Sequence, residues 1–154
     1  MNKWRRLRRL SVLERRILLR ALFLLPVTGA ALHTIGFRRW KLFLARFTPA
    51  INSTEPVTVE SLRPARRIAR MVAAASEEGL YHGKCLERSI VLWWFLLRRG
   101  FPAELQIGGR RGSAGFEAHA WVKIGGIVVS DGDSVHQDFA PFGRDTASMG
   151  IEPR

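Results

Sequence analysis

Between Cys85 and Arg99 the chain reads CLERSIVLWWFLLRR, and past its first turn this stretch carries apolar side chains on every side. A helix of that kind has no face to offer to water, so other elements must enclose it. Gly100 marks its stop. A chain of 154 residues can build one such core but not two independent ones. The remaining sequence is therefore read for what surrounds this helix.

Ahead of it, LRRLSVLERRILLRALFLL repeats leucines at helical spacing. Leu10, Leu13, Ile17 and Leu24 fall on or near one face and arginines on the other. Pro26 is expected to end or kink this helix. A second helical stretch spans about 30 to 47, with Phe37, Trp40, Leu44 and Phe47, before the loop TPAINSTEP. A third helix begins near Ser61, tolerates Pro64 in its first turn and ends before Gly79, burying Ile68, Val72 and Ala75. Beyond Gly100, AELQIGGR, FEAHAWVK and IVVSD read as three short strands with glycine-rich connections. The order, helices and then a meander, gives an α+β fold: a basic helical extension over 1–60 and a core over 61–154, joined as one compact unit. From Pro141 onward the structural signals are weak.

The formal net charge of +12 is uneven, since residues 1–50 hold twelve Lys and Arg against Glu14 alone. Such a surface suits nucleic acid, an anionic membrane or an acidic partner, and charge does not choose among them. Cys85 is the only cysteine, so no intramolecular disulfide forms and a reducing compartment is expected. The N-terminus imitates a secretory signal, but its basic part is long and Arg20 interrupts the apolar run, which reads as mature protein. Ala21 to Leu32 is uncharged for only twelve residues and contains Pro26, short of the roughly 20 a spanning helix needs. Neither a metal-ligand spacing nor a phosphate-binding glycine loop is present, so no metal and no cofactor is expected.

Cys85 follows a Gly-Lys pair at the start of the buried helix, where free backbone N–H groups and the positive end of the dipole suit a nucleophilic thiolate. Taken singly, it equally reads as a small buried hydrophobe. His119, on the strand FEAHAWVK, reads singly as a core histidine. The turn that follows leaves two registers open. A two-residue loop at Gly125 and Gly126 pairs Ile124 with Ile127, sets His119 opposite Gly132 and turns Asp131 to the other face. A three-residue loop pairs Lys123 with Ile127 and sets His119 opposite Asp131, ahead of Asp133. In the second register a cysteine, a histidine and an aspartate supply nucleophile, base and orienting carboxylate.

Cys-Leu-x-Arg-Ser at 85–89, Ala-Glu-Leu-x-Ile-Gly at 103–108 and Phe-x-Ala-His-Ala-Trp-Val at 116–122 resemble, in that order, the transglutaminase-like cysteine proteases of lasso-peptide biosynthesis. The resemblance covers roughly residues 62–140. Gly109 and Lys123 depart from the pattern without touching the motif residues. It implies a transglutaminase/papain-like core, in which the helix carrying Cys85 packs on a small antiparallel sheet, with an N-terminal helical extension. It implies a catalytic triad of Cys85, His119 and Asp131, which requires the three-residue turn. Trp121 shares the His119 face, either as core or as a substrate-binding wall. The implied activity removes the leader from a lasso precursor peptide in the cytoplasm. The implied partners are that precursor, a separate leader-recognition protein and an asparagine-synthetase-like lasso cyclase, with no nucleic acid. The basic helices then serve docking or peripheral membrane contact. Against this stand another thioester-based acyl transfer, or a non-catalytic basic binding module. His82 and His136 are read as solvent-facing loop residues, His33 as part of the N-terminal helical layer, and Trp93 and Trp94 as packing.

Overall fold

The computed structural model describes residues 10–51, 57–113, 115–130 and 138–142. Four helices and four strands lie among them: α1 (Val12–Thr34), α2 (Phe37–Ala45), α3 (Arg63–Glu78), α4 (Cys85–Leu97), β1 (Ala103–Gly112), β2 (Gly115–Ile124), β3 (Ile127–Val128) and β4 (Ala140–Pro141). The strands form one antiparallel sheet in the order β3-β2-β1-β4. The α+β architecture follows, with a helical layer against a sheet.

The all-round apolar helix is enclosed as its composition demands. Ile90, Val91, Leu92, Trp93, Phe95 and Leu96 of α4 are buried, in one cluster with Ile17, Ala21 and Leu25 of α1, Ile68 and Val72 of α3, and Leu105, Val122 and Ile124 of the sheet. α4 ends at Leu97 and Gly100 takes a positive φ of 80°. The short connection to Ala103 then folds the sheet back along the helix. α3 starts with a proline in its first turn and ends at Gly79, as its sequence indicates.

α1 departs from expectation in two ways. It runs for 23 residues through Pro26, which does not end it. A proline costs a helix one hydrogen bond and a steric clash, and here the burial of Thr28, Gly29 and Ala31 beyond it offsets that cost. The helical stretch placed at 30–47 is accordingly split, its first part belonging to α1 and the rest to α2, with Gly36 at φ 83° between them. The buried stripe also differs. It is Ile17, Ala21, Leu25 and Thr28, whereas Leu13 is 49% exposed. A capping box between Ser11 and Glu14 fixes the start: Glu14 N–H donates to the Ser11 hydroxyl at 3.2 Å and Ser11 N–H to the Glu14 carboxylate at 2.8 Å. By length and composition α1 is the one described helix apolar enough to cross a membrane, though a core helix passes the same test.

The hairpin between β2 and β3 also corrects the sequence reading. Ile124 pairs with Ile127 and Lys123 with Val128, so the loop is the two-residue one, not the three-residue turn the triad requires. Gly125 and Gly126 both have positive φ, 56° and 81°. That is the requirement of a type I′ turn, whose twist matches the flanking strands.

Candidate active site

Cys85 is the first residue of α4, after an extended Lys84, and is partly exposed. What holds it there is Glu87, a carboxylate only 3% exposed in the helix's first turn. It accepts the Lys84 backbone N–H at 2.8 Å, the reach-back half of a capping box. It also accepts the Tyr81 hydroxyl, whose pKa is held above the usual phenol range by desolvation first, then by this hydrogen bond and the Glu87 charge. Ser76 fixes the same loop by donating to the Gly83 carbonyl at 3.1 Å. The approach of α1 is close enough that a Cβ on Gly29 would meet the Tyr81 hydroxyl.

His119 lies half-buried on β2, opposite Gly108 of β1. Its ring stacks on Trp121, with centroids 6.0 Å apart, and tilts against Phe139 at 5.2 Å. Trp121, Val128 and Phe139 form a cluster of their own on this face, apart from the core that α4 joins. At 2% exposure Trp121 backs the imidazole and offers almost no surface to a ligand. Gly108 makes the arrangement possible. A Cβ there would stand 2.6 Å from both the Trp121 ring and the Ala140 carbonyl, so β4 could not close over the site.

A hydrogen bond joins the two carriers: the buried Ser89 hydroxyl donates to the Ala120 carbonyl at 2.8 Å. Cys85 lies one helical turn before Ser89 on the same side, about 6 Å along the axis. α4 packs on β2 and β1, so the helix that begins with Cys85 lies against the strand that carries His119. The imidazole, however, is on the sheet face that α4 does not cover. Contact between them has to pass the β2 edge, which among the described residues β3 covers only at Lys123 and Ile124.

Past Val128 the ladder gives way. Val129 N–H still bonds the Val122 carbonyl at 2.9 Å, but Val122 N–H turns to the Ser130 hydroxyl at 3.0 Å. Asp131, with Asp133 and His136, lies outside the described residues. His33 and His82 are exposed, Trp93 is buried, and Trp94 donates its indole N–H to the Leu44 carbonyl at 3.1 Å. Among the described residues no cluster of His, Cys, Asp and Glu could hold a metal ion.

Two residues of the site were not read from the sequence. Glu87 had a signal, standing three residues after the Lys84 cap position. Arg110 had none until the β1–β2 hairpin brought it opposite Glu117. Its Nε donates to Glu117 at 2.6 Å, its Nη1 reaches Asp138 at 3.4 Å, and its guanidinium lies 4.7 Å above the Phe139 ring. Arg110 thus holds Phe139 against His119.

Residues 31–144, a span containing Cys85, His119 and Asp131, match the family described as the transglutaminase-like superfamily. No curated protein and no solved structure matches the chain.

Proposed function

The chain belongs to the transglutaminase-like superfamily, and from that premise we propose that it is a cysteine peptidase that removes the leader from a lasso precursor peptide, assisted by a separate leader-recognition protein. Acyl transfer through a cysteine is the chemistry of that superfamily's proteases and acyltransferases. The observation that supports the reading here is the Ser89–Ala120 bond, which ties the helix that begins with Cys85 to the strand that carries His119. The lasso assignment rests on the motifs at 85–89, 103–108 and 116–122.

In this mechanism His119 takes the proton from Cys85, and the thiolate attacks the last carbonyl of the leader. The N–H of Cys85, at a helix N-terminus with no intrahelical acceptor, is the proposed oxyanion donor. The C–N bond breaks as the imidazolium returns its proton to the departing amine of the core peptide. Water, deprotonated by the same imidazole, then hydrolyses the thioester and frees the leader. Asp131 is proposed to orient His119. The two-residue turn removes the cross-strand pairing on which that role was expected.

The lasso cyclase is the proposed next enzyme, and the cytoplasm the proposed compartment. Peripheral membrane contact through α1 is proposed with it. Val12, Leu19 and Phe23, seven and four residues apart on its outer side, are 69%, 66% and 71% exposed, with Arg15, Arg16 and Arg20 alongside.

Mass spectrometry of a lasso precursor incubated with this protein and its recognition partner tests the activity. Loss of the leader, abolished by Cys85→Ala, is expected. A shifted mass with the leader intact means transamidation or deamidation instead, and full processing by Cys85→Ala removes the enzyme reading.

A further inference from the structure

α3 turns Arg63, Arg66, Arg67 and Arg70 toward one side, because steps of three, four and seven residues repeat the helical turn. They form one wall of an open groove of about 660 Å³, a size that suits an extended ligand rather than a single small ion. Its apolar surface comes from Ala69, Ala73, Val128 and Val129, and Glu77 is the one acid among the described residues that line it. Arg63 is paired with Glu60 at 2.8 Å. Among the described residues Arg66, Arg67 and Arg70 enter no ion pair.

The groove adjoins α4, the helix that begins with Cys85: Ala69, Ala73 and Ser130 line both the groove and a narrow crevice that Arg88 and Ser89 also line. Ser89 in turn holds the Ala120 carbonyl, beside His119. The far wall is β3, the outermost described strand of the sheet, where an extended chain can lie alongside. Guanidinium groups on one side, small apolar side chains beneath and a strand edge opposite suit a peptide carrying carboxylates. A carboxylate matches the guanidinium fork in two hydrogen bonds. Binding of single-stranded nucleic acid uses aromatic platforms for its bases, and among the described residues no aromatic side chain lines this groove.

We propose that the groove between α3 and β3 is a substrate subsite that binds an acidic, extended segment of the peptide delivered to Cys85. The role as substrate subsite rests on the peptidase reading above; the binding chemistry does not.

The test uses the full chain with Cys85→Ala, so that bound peptide stays intact, and reads fluorescence anisotropy of a short labelled peptide alternating Glu and Val. A second probe carries Gln in place of each Glu. The acidic probe is expected to bind at least about tenfold more tightly, with affinity falling as salt rises. Arg66→Gln/Arg67→Gln/Arg70→Gln is expected to abolish that preference without changing the melting temperature, since all three side chains are exposed. Arg38→Gln/Arg39→Gln is expected to retain it. Equal binding of the two probes, a preference that survives the triple change, or displacement of the acidic probe by a lower concentration of an oligodeoxynucleotide of equal charge overturns the proposal. The two readings fail separately. An acidic preference in a protein that leaves the precursor uncut removes the peptidase, whereas Cys85-dependent cleavage without the preference removes the groove.

Discussion

Glu87 and Gly126 show how differently single positions shape this site. Glu87 receives the Lys84 N–H and the Tyr81 hydroxyl within a buried first turn, so the start of α4 is held by a side chain rather than left to fray. Cys85 and His119 could be named as candidates from the sequence because nucleophile and base chemistry is written in residue type. Arg110 could not, because its role exists only once Glu117, Asp138 and Phe139 are gathered around it. At Gly126 the backbone makes the demand. A Cβ there meets nothing within 4 Å, but φ is 81°. Gly126→Asn is expected to cost less than about 0.5 kcal/mol, since Asn tolerates the left-handed region. Gly126→Val is expected to cost about 1–3 kcal/mol, read by urea unfolding. Equal stability of the two variants would contradict the observed turn.

Among elements, α4 was fully legible and α1 was not. A helix apolar on all sides can only be buried, whereas α1 carries apolar residues on a covered face and on an open one, and spacing alone did not show which was which. Leucine at 13 was taken for the inner stripe because its spacing to Ile17 suits one, yet Ala21, a smaller residue, packs inside. Pro26 does not end α1, because the local cost of a proline is offset by tertiary contacts beyond it that spacing does not reveal. The sheet was legible strand by strand, but the β2–β3 register was not, because two glycines permit either loop and only the strand pairing distinguishes them. β4 pairs at only two positions, Gly108 with Pro141 and Gly109 with Ala140, too short for any periodicity to announce. The open face of α1 has a direct test. Vesicles containing phosphatidylserine are expected to carry the protein on flotation, and neutral vesicles are not. Leu19→Ser/Phe23→Ser is expected to weaken that binding about tenfold or more. Equal partition of both proteins into both lipids would leave α1 without a membrane role.

At the scale of the molecule, the core does not respect a boundary near residue 60. Ile17, Ala21, Leu25, Trp40 and Leu44 share one cluster with Leu62, Val72, Val91 and Leu105, and the family match itself begins at residue 31. A chain cut to residues 61–154 would expose the sides of α3 and α4 that α1 now covers. Such a fragment is expected to lose cooperative thermal unfolding and to bind a hydrophobic dye, measured by calorimetry and 8-anilinonaphthalene-1-sulfonate fluorescence. A sharp transition like that of the full chain would show the helical layer to be dispensable. The contact of Gly29 with Tyr81 makes the point in another way. One helix answers to two kinds of selection: Phe23 on its outer side is free to change with whatever surface it meets, while six residues on, Gly29 cannot accept a methyl group without pressing on the loop that aims the cysteine.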